Sequence, residues 1–488
     1  MNAPAGEFAW LPYLAQEAPG GAAPAEAARR ELAAGLSALG IRKAARVEAD
    51  GAGEGFRIRE DSEAYIITGG EPGILYGAYR LLTSLYLGRP VDADESPFYP
   101  LRILNHWDNM DGSVERGYAG KSLFFRDGKV SFDAERIRRY GRLLASVGIN
   151  AVCPNNVNVV PPADRLVTGE GLDGISRLAD TLRPFGIRLL LAVDFSLPTR
   201  SGLSTADPLD EGVQAFWAHT AEGVYRRIPD LAGFVVKADS ESRPGPFTYG
   251  RTQADGANML ARALLSHGGK LFWRCFVYNC AQDWRDQETD RPRAAYDHFA
   301  PMDGQFLPNV VLQVKNGPLD FQVREPVSPM LLGMPGTQKA LEVQLAQEYT
   351  GQQVDLFYLA PQWKDVLKVL PREKVCCAVG VSNLGNDANW TGHDLAQANL
   401  YAFGKMCWDG AIDPAQTALE WARLTFPDAA AEVGGLLLRS PDVYEKYASP
   451  LGVGFMVNPS THYGPSPMGY EFSRWGTFHR ADREALGV

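Results

Sequence analysis

Eight short apolar runs, separated by longer amphipathic stretches, constrain this 488-residue chain more than any other feature. They are LRILNHW (101–107), INAVCP (149–154), IRLLLAVDF (187–195), AGFVVKA (232–238), KLFWRCFVY (270–278), NVVLQVKN (309–316), LEVQLAQEY (341–349) and VCCAVGVSN (375–383). Between the early runs lie helical patterns such as FDAERIRRYGRLLASVG, ISRLADTLRPFG and GVQAFWAHTAEGVYRRI. Buried strands alternating with helices predict an α/β fold with a parallel sheet, and the count of eight favours a (β/α)8 TIM barrel over residues 99–390. A doubly wound open sheet would usually carry a Gly-rich turn after its first strand. LRILNHWDNMDG contains no G-x-G-x-x-G, which counts against that alternative.

The flanks read differently. Residues 1–98 form a small N-terminal α/β domain: a helix in PAEAARRELAAGLSALG, strands in FRIRED and AYIITGG, a second helix in GILYGAYRLLTSLYLG, and a linker in VDADESPFYP. Residues 391–488 form a shortened, mostly helical C-terminal region. Its last 40 residues are rich in aromatics, Gly and Pro, a composition suited to a ligand-facing loop. The net charge of −10 argues against nonspecific nucleic-acid binding. No apolar stretch approaches the ~18 residues that span a bilayer. MNAPAGEFAW lacks a basic n-region, and the six cysteines form no C-x-x-C pair. The expectation is therefore a cytoplasmic protein with reduced thiols.

A barrel of this kind keeps its chemistry at the C-terminal ends of its strands. Polar residues gather there: Asn105, His106, Trp107 and Asp108 at the first, Asn155, Asn156 and Asn158 after the second, Asp194 at the third. Lys237 lies on the fourth run with Asp239 and Glu241 beyond it. Arg274 is on the fifth, Lys315 on the sixth with Asp320 following, and Glu348 closes the seventh. Glu241, Asp320 and Glu348 are candidate catalytic acids, because a glycosidase needs one carboxyl to donate a proton and another to activate water. Each of these acids, alone, is more often a helix cap or an arginine's partner. Lys237, Arg274 and Lys315 lie on three consecutive strands, and such a cation cluster in an acidic chain suggests an anionic ligand. The alternative, which does not exclude the first, is that these cations simply neutralise the same three acids. Trp107, Trp273, Tyr278, Trp363, Trp390, Tyr463 and Trp475 are candidate sugar platforms, although any single Trp is more often core.

Other chemistries find less support. The chain has no H-E-x-x-H, no G-x-S-x-G and no Walker A sequence, and no metal or cofactor is expected.

The segments ILNHWDNMDGSVERGYAGKSLFF, GFVVKADSESRPGPFTYGRTQADGANML, LQVKNGPLDFQVREPVSPM, EVQLAQEYTGQ and HYGPSPMGYEFSRWGTFHRADR resemble, in matching order, family 67 glycoside hydrolases, the α-glucuronidases. The resemblance runs over roughly residues 60 to 483. It implies a three-part protein and an inverting hydrolase that removes α-1,2-linked (4-O-methyl-)glucuronic acid from the terminal xylose of xylo-oligosaccharides. It implies Glu241 as general acid, and Asp320 and Glu348 as the pair that activates water. Lys237, Arg274 and Lys315 would hold the sugar carboxylate; Trp107, Asn155 and Trp475 would bind substrate. The chain is shorter at both ends than the family pattern, which leaves the oligomeric state open. Ser242 and Gln253 stand where Gly and His are expected. Two other readings remain: a hydrolase for another α-linked uronate such as galacturonate, and a non-catalytic carbohydrate-binding barrel.

Overall fold

The computed structural model describes residues 9–15, 23–51, 53–241, 243–276, 291–370, 372–382 and 384–448. The N-terminal unit holds strands β1 (Ala44–Ala49), β2 (Phe56–Glu60), β3 (Ala64–Gly69) and β4 (Ala93–Glu95), in the order β1-β3-β2-β4. β1 runs parallel to β3, while β2 is antiparallel to both of its neighbours. Helices Pro24–Ala38 and Glu71–Leu87 pack together on this sheet. β4 lies inside the stretch expected to be a plain linker. β1, in AARVEA, is so exposed along its length that no apolar pattern marks it.

Strand β5 (Leu101–Asp108) opens the barrel, and a two-residue-stranded hairpin, β6 (Phe125–Arg126) with β7 (Lys129–Val130), follows it. The other barrel strands are β8 (Ala151–Asn155), β9 (Arg188–Ala192), β10 (Gly233–Val236), β11 (Lys270–Arg274), β12 (Val310–Lys315), β13 (Lys339–Gln344) and β14 (Cys377–Ser382). These eight strands pair in parallel and close on themselves through β14 and β5. The fold is a (β/α)8 barrel. Each of the eight apolar runs holds one strand, and most strands are buried from end to end because helices cover their outer face.

Two apolar cores result. One lies between sheet and helices and continues into both flanking regions. The other fills the barrel interior, with Ile103, Leu190, Val235, Phe272, Val311 and Val379 among its members. A buried ion pair ties the N-terminal unit to the barrel. Arg142, on helix Ala134–Ala145, meets Glu31 with Nε–Oε1 2.7 Å and Nη2–Oε2 3.0 Å. Helices Gln397–Trp408, Pro414–Thr425 and Ala430–Ala448 follow the barrel, as the sequence predicts. The described cysteines, Cys153, Cys275, Cys376, Cys377 and Cys407, are unpaired. Among the described residues no helix is long and apolar enough to cross a membrane.

Candidate active site

The loops that leave β10, β12 and β13 carry the three candidate acids, and each loop is pinned by a half-buried or buried polar side chain. After β10, Asp239 accepts the Phe247 N–H at 3.1 Å and the Gln253 Nε2–H at 2.6 Å. Gln253 in turn accepts from Trp273 Nε1 at 2.8 Å. A Cβ at Gly245 would lie 2.4 Å from the Asp239 carboxyl carbon, so only glycine lets the loop close this tightly. Gln253 occupies the position where His was expected, and there it bridges Asp239 to the core. Ser242 lies outside the described residues.

After β12, Glu325 accepts three backbone N–H groups, from Leu319, Asp320 and Gln322, at 2.8, 2.7 and 2.8 Å. Burial nevertheless pushes its carboxyl up, and the charge of Asp320 adds to the effect. After β13, Gln344 and Glu348 bond reciprocally: the Glu348 N–H donates to Gln344 Oε1, and Gln344 Nε2 donates to Glu348 Oε2, both at 3.0 Å. The seventh run therefore ends as a strand at Gln344, and Glu348 stands four residues further on, in the loop.

Left-handed backbone clusters on these loops. Glu241 itself has φ 49°, with Asp239 at 48°, Phe321 after Asp320 at 57°, and Gln347 before Glu348 at 57°. Non-glycine residues held there are strained by about 1–3 kcal/mol each, and such strain concentrates at functional sites.

The side chains then converge in pairs. Lys237 Nζ donates to Glu241 Oε2 in a close ion pair and to Asn158 Oδ1 at 2.9 Å. Lys315 Nζ makes a close ion pair with Asp320 Oδ1, and Tyr349 donates its hydroxyl to Asp320 Oδ2 at 3.0 Å. The ring of Phe276 sits under both cations, its centroid 3.4 Å from Lys315 Nζ and 5.8 Å from Lys237 Nζ. Both lysines are more than nine-tenths buried. Burial holds Lys237 well below the usual lysine range, and the positive charges of Arg274 and Lys315 push the same way. Burial lowers Lys315 as well, against the attraction of Asp320.

Arg274 is engaged beneath them. Its Nε and Nη2 meet Glu342 Oε2 and Oε1 at 3.0 and 2.5 Å, and Gln313 Nε2 donates to the same carboxylate at 2.6 Å. Burial disfavours the charge on Arg274, but Glu342 together with Asp320 and Glu115 outweighs it and raises the guanidinium. Arg116 approaches Glu348 Oε1 with Nε and Nη2 both at 2.9 Å. Glu115 accepts from Asn156 Nδ2 at 2.8 Å.

The structure thus brings Lys237, Glu241, Lys315 and Asp320 together over Arg274. It uses Asn155 differently. That amide donates to Ala192 O at 2.9 Å and accepts from Ala192 N at 3.0 Å, continuing the β8–β9 ladder, while Asn158 reaches Lys237. Trp107 joins the inner barrel cluster with Val157, Val159 and Phe321, and its Nε1 has no hydrogen-bond partner among the described residues. Trp273, Trp363 and Trp390 are core residues, each at most 2% exposed. His106 is also internal: its Nε2 meets the Tyr140 hydroxyl at 2.5 Å, and its Nδ1 is 3.4 Å from Asp108. Trp475, Tyr278 and Tyr463 lie outside the described residues. Sequence reasoning missed Glu115, Arg116, Glu325, Glu342, Gln344 and Tyr349. An acid inside an apolar run, as Glu342 is in LEVQL, was the one visible signal.

Architectural parallels among solved structures are distant in sequence. A GH138 enzyme targeting pectin rhamnogalacturonan II shares the fold at TM-score 0.57 and 12% identity, over 87% of this chain and 55% of its own. The chitobiase of Flavobacterium johnsoniae does so at TM-score 0.50 and 12% identity, over 85% and 68%. Sequence relatives are much closer. The alpha-glucuronidase A of Emericella nidulans is 42% identical over 471 residues, 89% of this chain and 55% of its own length. The probable alpha-glucuronidase A of Aspergillus clavatus is 42% identical over 454 residues, 88% and 54%. The chain spans about half the length of these curated relatives. Residues 88–376, which include the whole mouth just described, match the glycosyl hydrolase family 67 middle domain, and residues 391–488 match the family's C-terminal domain. By both matches this chain belongs to glycosyl hydrolase family 67.

Proposed function

We propose that the chain is an inverting α-glucuronidase, which removes α-1,2-linked (4-O-methyl-)glucuronic acid from the terminal xylose of xylo-oligosaccharides. The observation that carries this reading is the pair of buried lysine–carboxylate couples, Lys237–Glu241 and Lys315–Asp320, at the C-terminal mouth of one barrel. Two buried ammonium groups in an acidic protein suit a sugar that brings its own carboxylate. Neighbouring acids suit the proton transfers of glycoside hydrolysis. The names of the curated relatives point the same way.

In this reading Lys237 and Lys315 grip the uronate carboxylate. Arg274 supports them from below, its fork held by Glu342. Glu241 protonates the glycosidic oxygen as the C–O bond breaks. Asp320 or Glu348 takes a proton from the water that attacks the opposite face. Arg116 orients Glu348, and Tyr349 orients Asp320. Inversion needs the acid and base roughly 6.5–9.5 Å apart, so that a water fits between base and sugar. Trp107 lines the sugar pocket, and Asn158 takes the polar role that Asn155 was expected to fill. A cytoplasmic setting belongs to the proposal and rests on the unpaired thiols.

The test is a substrate panel. Aldotetraouronic acid (4-O-methyl-glucuronosyl xylotriose) should release its uronic acid, while α-galacturonides should stay intact. Preferential release of galacturonate would move the activity to another uronate. Tight binding without release would make the chain a carbohydrate-binding barrel.

A further inference from the structure

The two cations suited to a uronate already have partners within the protein. Lys237 is paired with Glu241, and Lys315 with Asp320. Arg274 cannot substitute through its fork, because Nε and Nη2 are on Glu342. A carboxylate arriving at this mouth therefore has to compete with the protein's own acids for Lys237 and Lys315. Glu241 is the more easily displaced of the two: its side chain is 28% exposed, against 12% for Asp320. It also stands in a loop at positive φ, and among the described residues no hydroxyl is seen to donate to it as Tyr349 does to Asp320.

We propose that the substrate's uronate carboxylate takes Lys237 from Glu241, and that Glu241 then binds a proton from solvent and so becomes the acid the reaction requires. The inference rests on the α-glucuronidase reading and adds a specificity device to it. An ionised Glu241 paired with Lys237 cannot donate a proton. Once Lys237 turns to the ligand, Glu241 has lost its cation and gained an anionic neighbour, and both changes favour the protonated form. The balance is simple. The ionised Glu241 side chain, the uronate anion and one proton combine to give a complex of neutral Glu241 with Lys237-bound uronate. During turnover that proton passes to the leaving oxygen. A neutral sugar in the same pocket would leave the Lys237–Glu241 pair intact and the acid switched off.

The charged groups around the pair are consistent with this. Lys237 is faced by Arg274 from β11, Lys315 from β12, Asp320 from the loop after β12 and Glu115 from the loop after β5. Glu342 on β13 acts on Arg274 and Lys315. Burial and the two other cations hold Lys237 low, so an anion beside it, Glu241 before binding and the ligand after, favours its charged form.

Calorimetric titration with glucuronate, in two buffers of different ionisation enthalpy near neutral pH, tests the exchange. Binding should take up close to one proton, and by linkage its affinity should fall about tenfold per pH unit between the pKa of Glu241 in the free enzyme and its higher pKa in the complex. Xylose should bind with no uptake. In Glu241→Gln, glucuronate should still bind but with the uptake lost; in Asp320→Asn, the uptake should persist. Glucuronate binding without uptake overturns the exchange while leaving the uronate reading in place. Uptake that survives Glu241→Gln assigns the proton to a lysine and also overturns it, as does uptake lost only in Asp320→Asn. Failure of glucuronate to bind removes the uronate reading and the exchange together.

Discussion

Lys237→Met is the substitution whose consequences the geometry defines most sharply. Methionine keeps most of the length of the side chain and removes the charge. Lys237 is 6% exposed, so solvent offers little replacement for a lost contact. Arg274 is held on Glu342 and cannot move across to compensate. A hydrogen bond to a charged group is worth about 1.5–3 kcal/mol, which corresponds to roughly 10- to 150-fold in affinity. Inhibition by glucuronate should therefore weaken by that factor, while inhibition by xylose should change less than about twofold on the same scale. The pH profile carries a second sign. Removing the cation beside Glu241 favours its protonated form, so the alkaline limb of kcat/KM should move to higher pH. Steady-state inhibition and a pH–rate series on aldotetraouronic acid would measure both. Equal weakening for the acidic and the neutral sugar, or an alkaline limb moved to lower pH, would refute the reasoning.

Further consequences can be checked separately. Glu241→Gln should nearly abolish turnover of xylo-oligosaccharide substrates, whose leaving groups need protonation, and should spare aryl uronides with good leaving groups far better; comparable kcat losses on both would sink the acid assignment. Arg142→Ala strips Glu31 of its bidentate partner at an almost fully buried site, and should destabilise the fold by about 3–5 kcal/mol in denaturant unfolding. A loss under about 1 kcal/mol would show the pair to be dispensable. Glu420, beside Lys405, Tyr401 and Arg89, is held down at about 2 although burial opposes it. Its pKa is depressed in the folded state, so its contribution, about 3 kcal/mol at neutral pH, is present above the unfolded value near 4.5 and drains away as pH falls towards 2. Glu420→Gln should accordingly flatten the acid limb of a stability–pH curve and leave the alkaline side unchanged in shape.

The barrel was legible because strands covered on both faces must be apolar almost throughout, and eight such runs leave few ways to fold. Run ends were less legible. LEVQLAQEY stays apolar past Gln344 because Leu345 and Ala346 remain buried, both N–H groups turning to the Val381 carbonyl. KLFWRCFVY likewise runs past Arg274, where β11 stops. The exposed edge strand β1 left no pattern to read. In the site, the three acids and three cations stood out because they follow or close apolar runs. Their supports did not. Glu325 looks like an ordinary charge until loop closure sets it under three N–H groups, and Glu342, though visible as an acid inside an apolar run, gains its role only when the register sets it against Arg274. Asn155 and Asn158 have the same side chain three residues apart. Only the strand's end decides that one completes a ladder while the other meets a lysine. Trp273, Trp363 and Trp390 show the converse case, in which aromatic residues near strand ends were consumed by packing.

The central claim, inverting release of a uronic acid, is tested most directly by a proton NMR time course of aldotetraouronic acid incubated with the protein. The account predicts that the β-anomer of 4-O-methyl-glucuronic acid appears first and then mutarotates. First appearance of the α-anomer would contradict inversion, and absence of any release by folded protein would contradict the hydrolase itself.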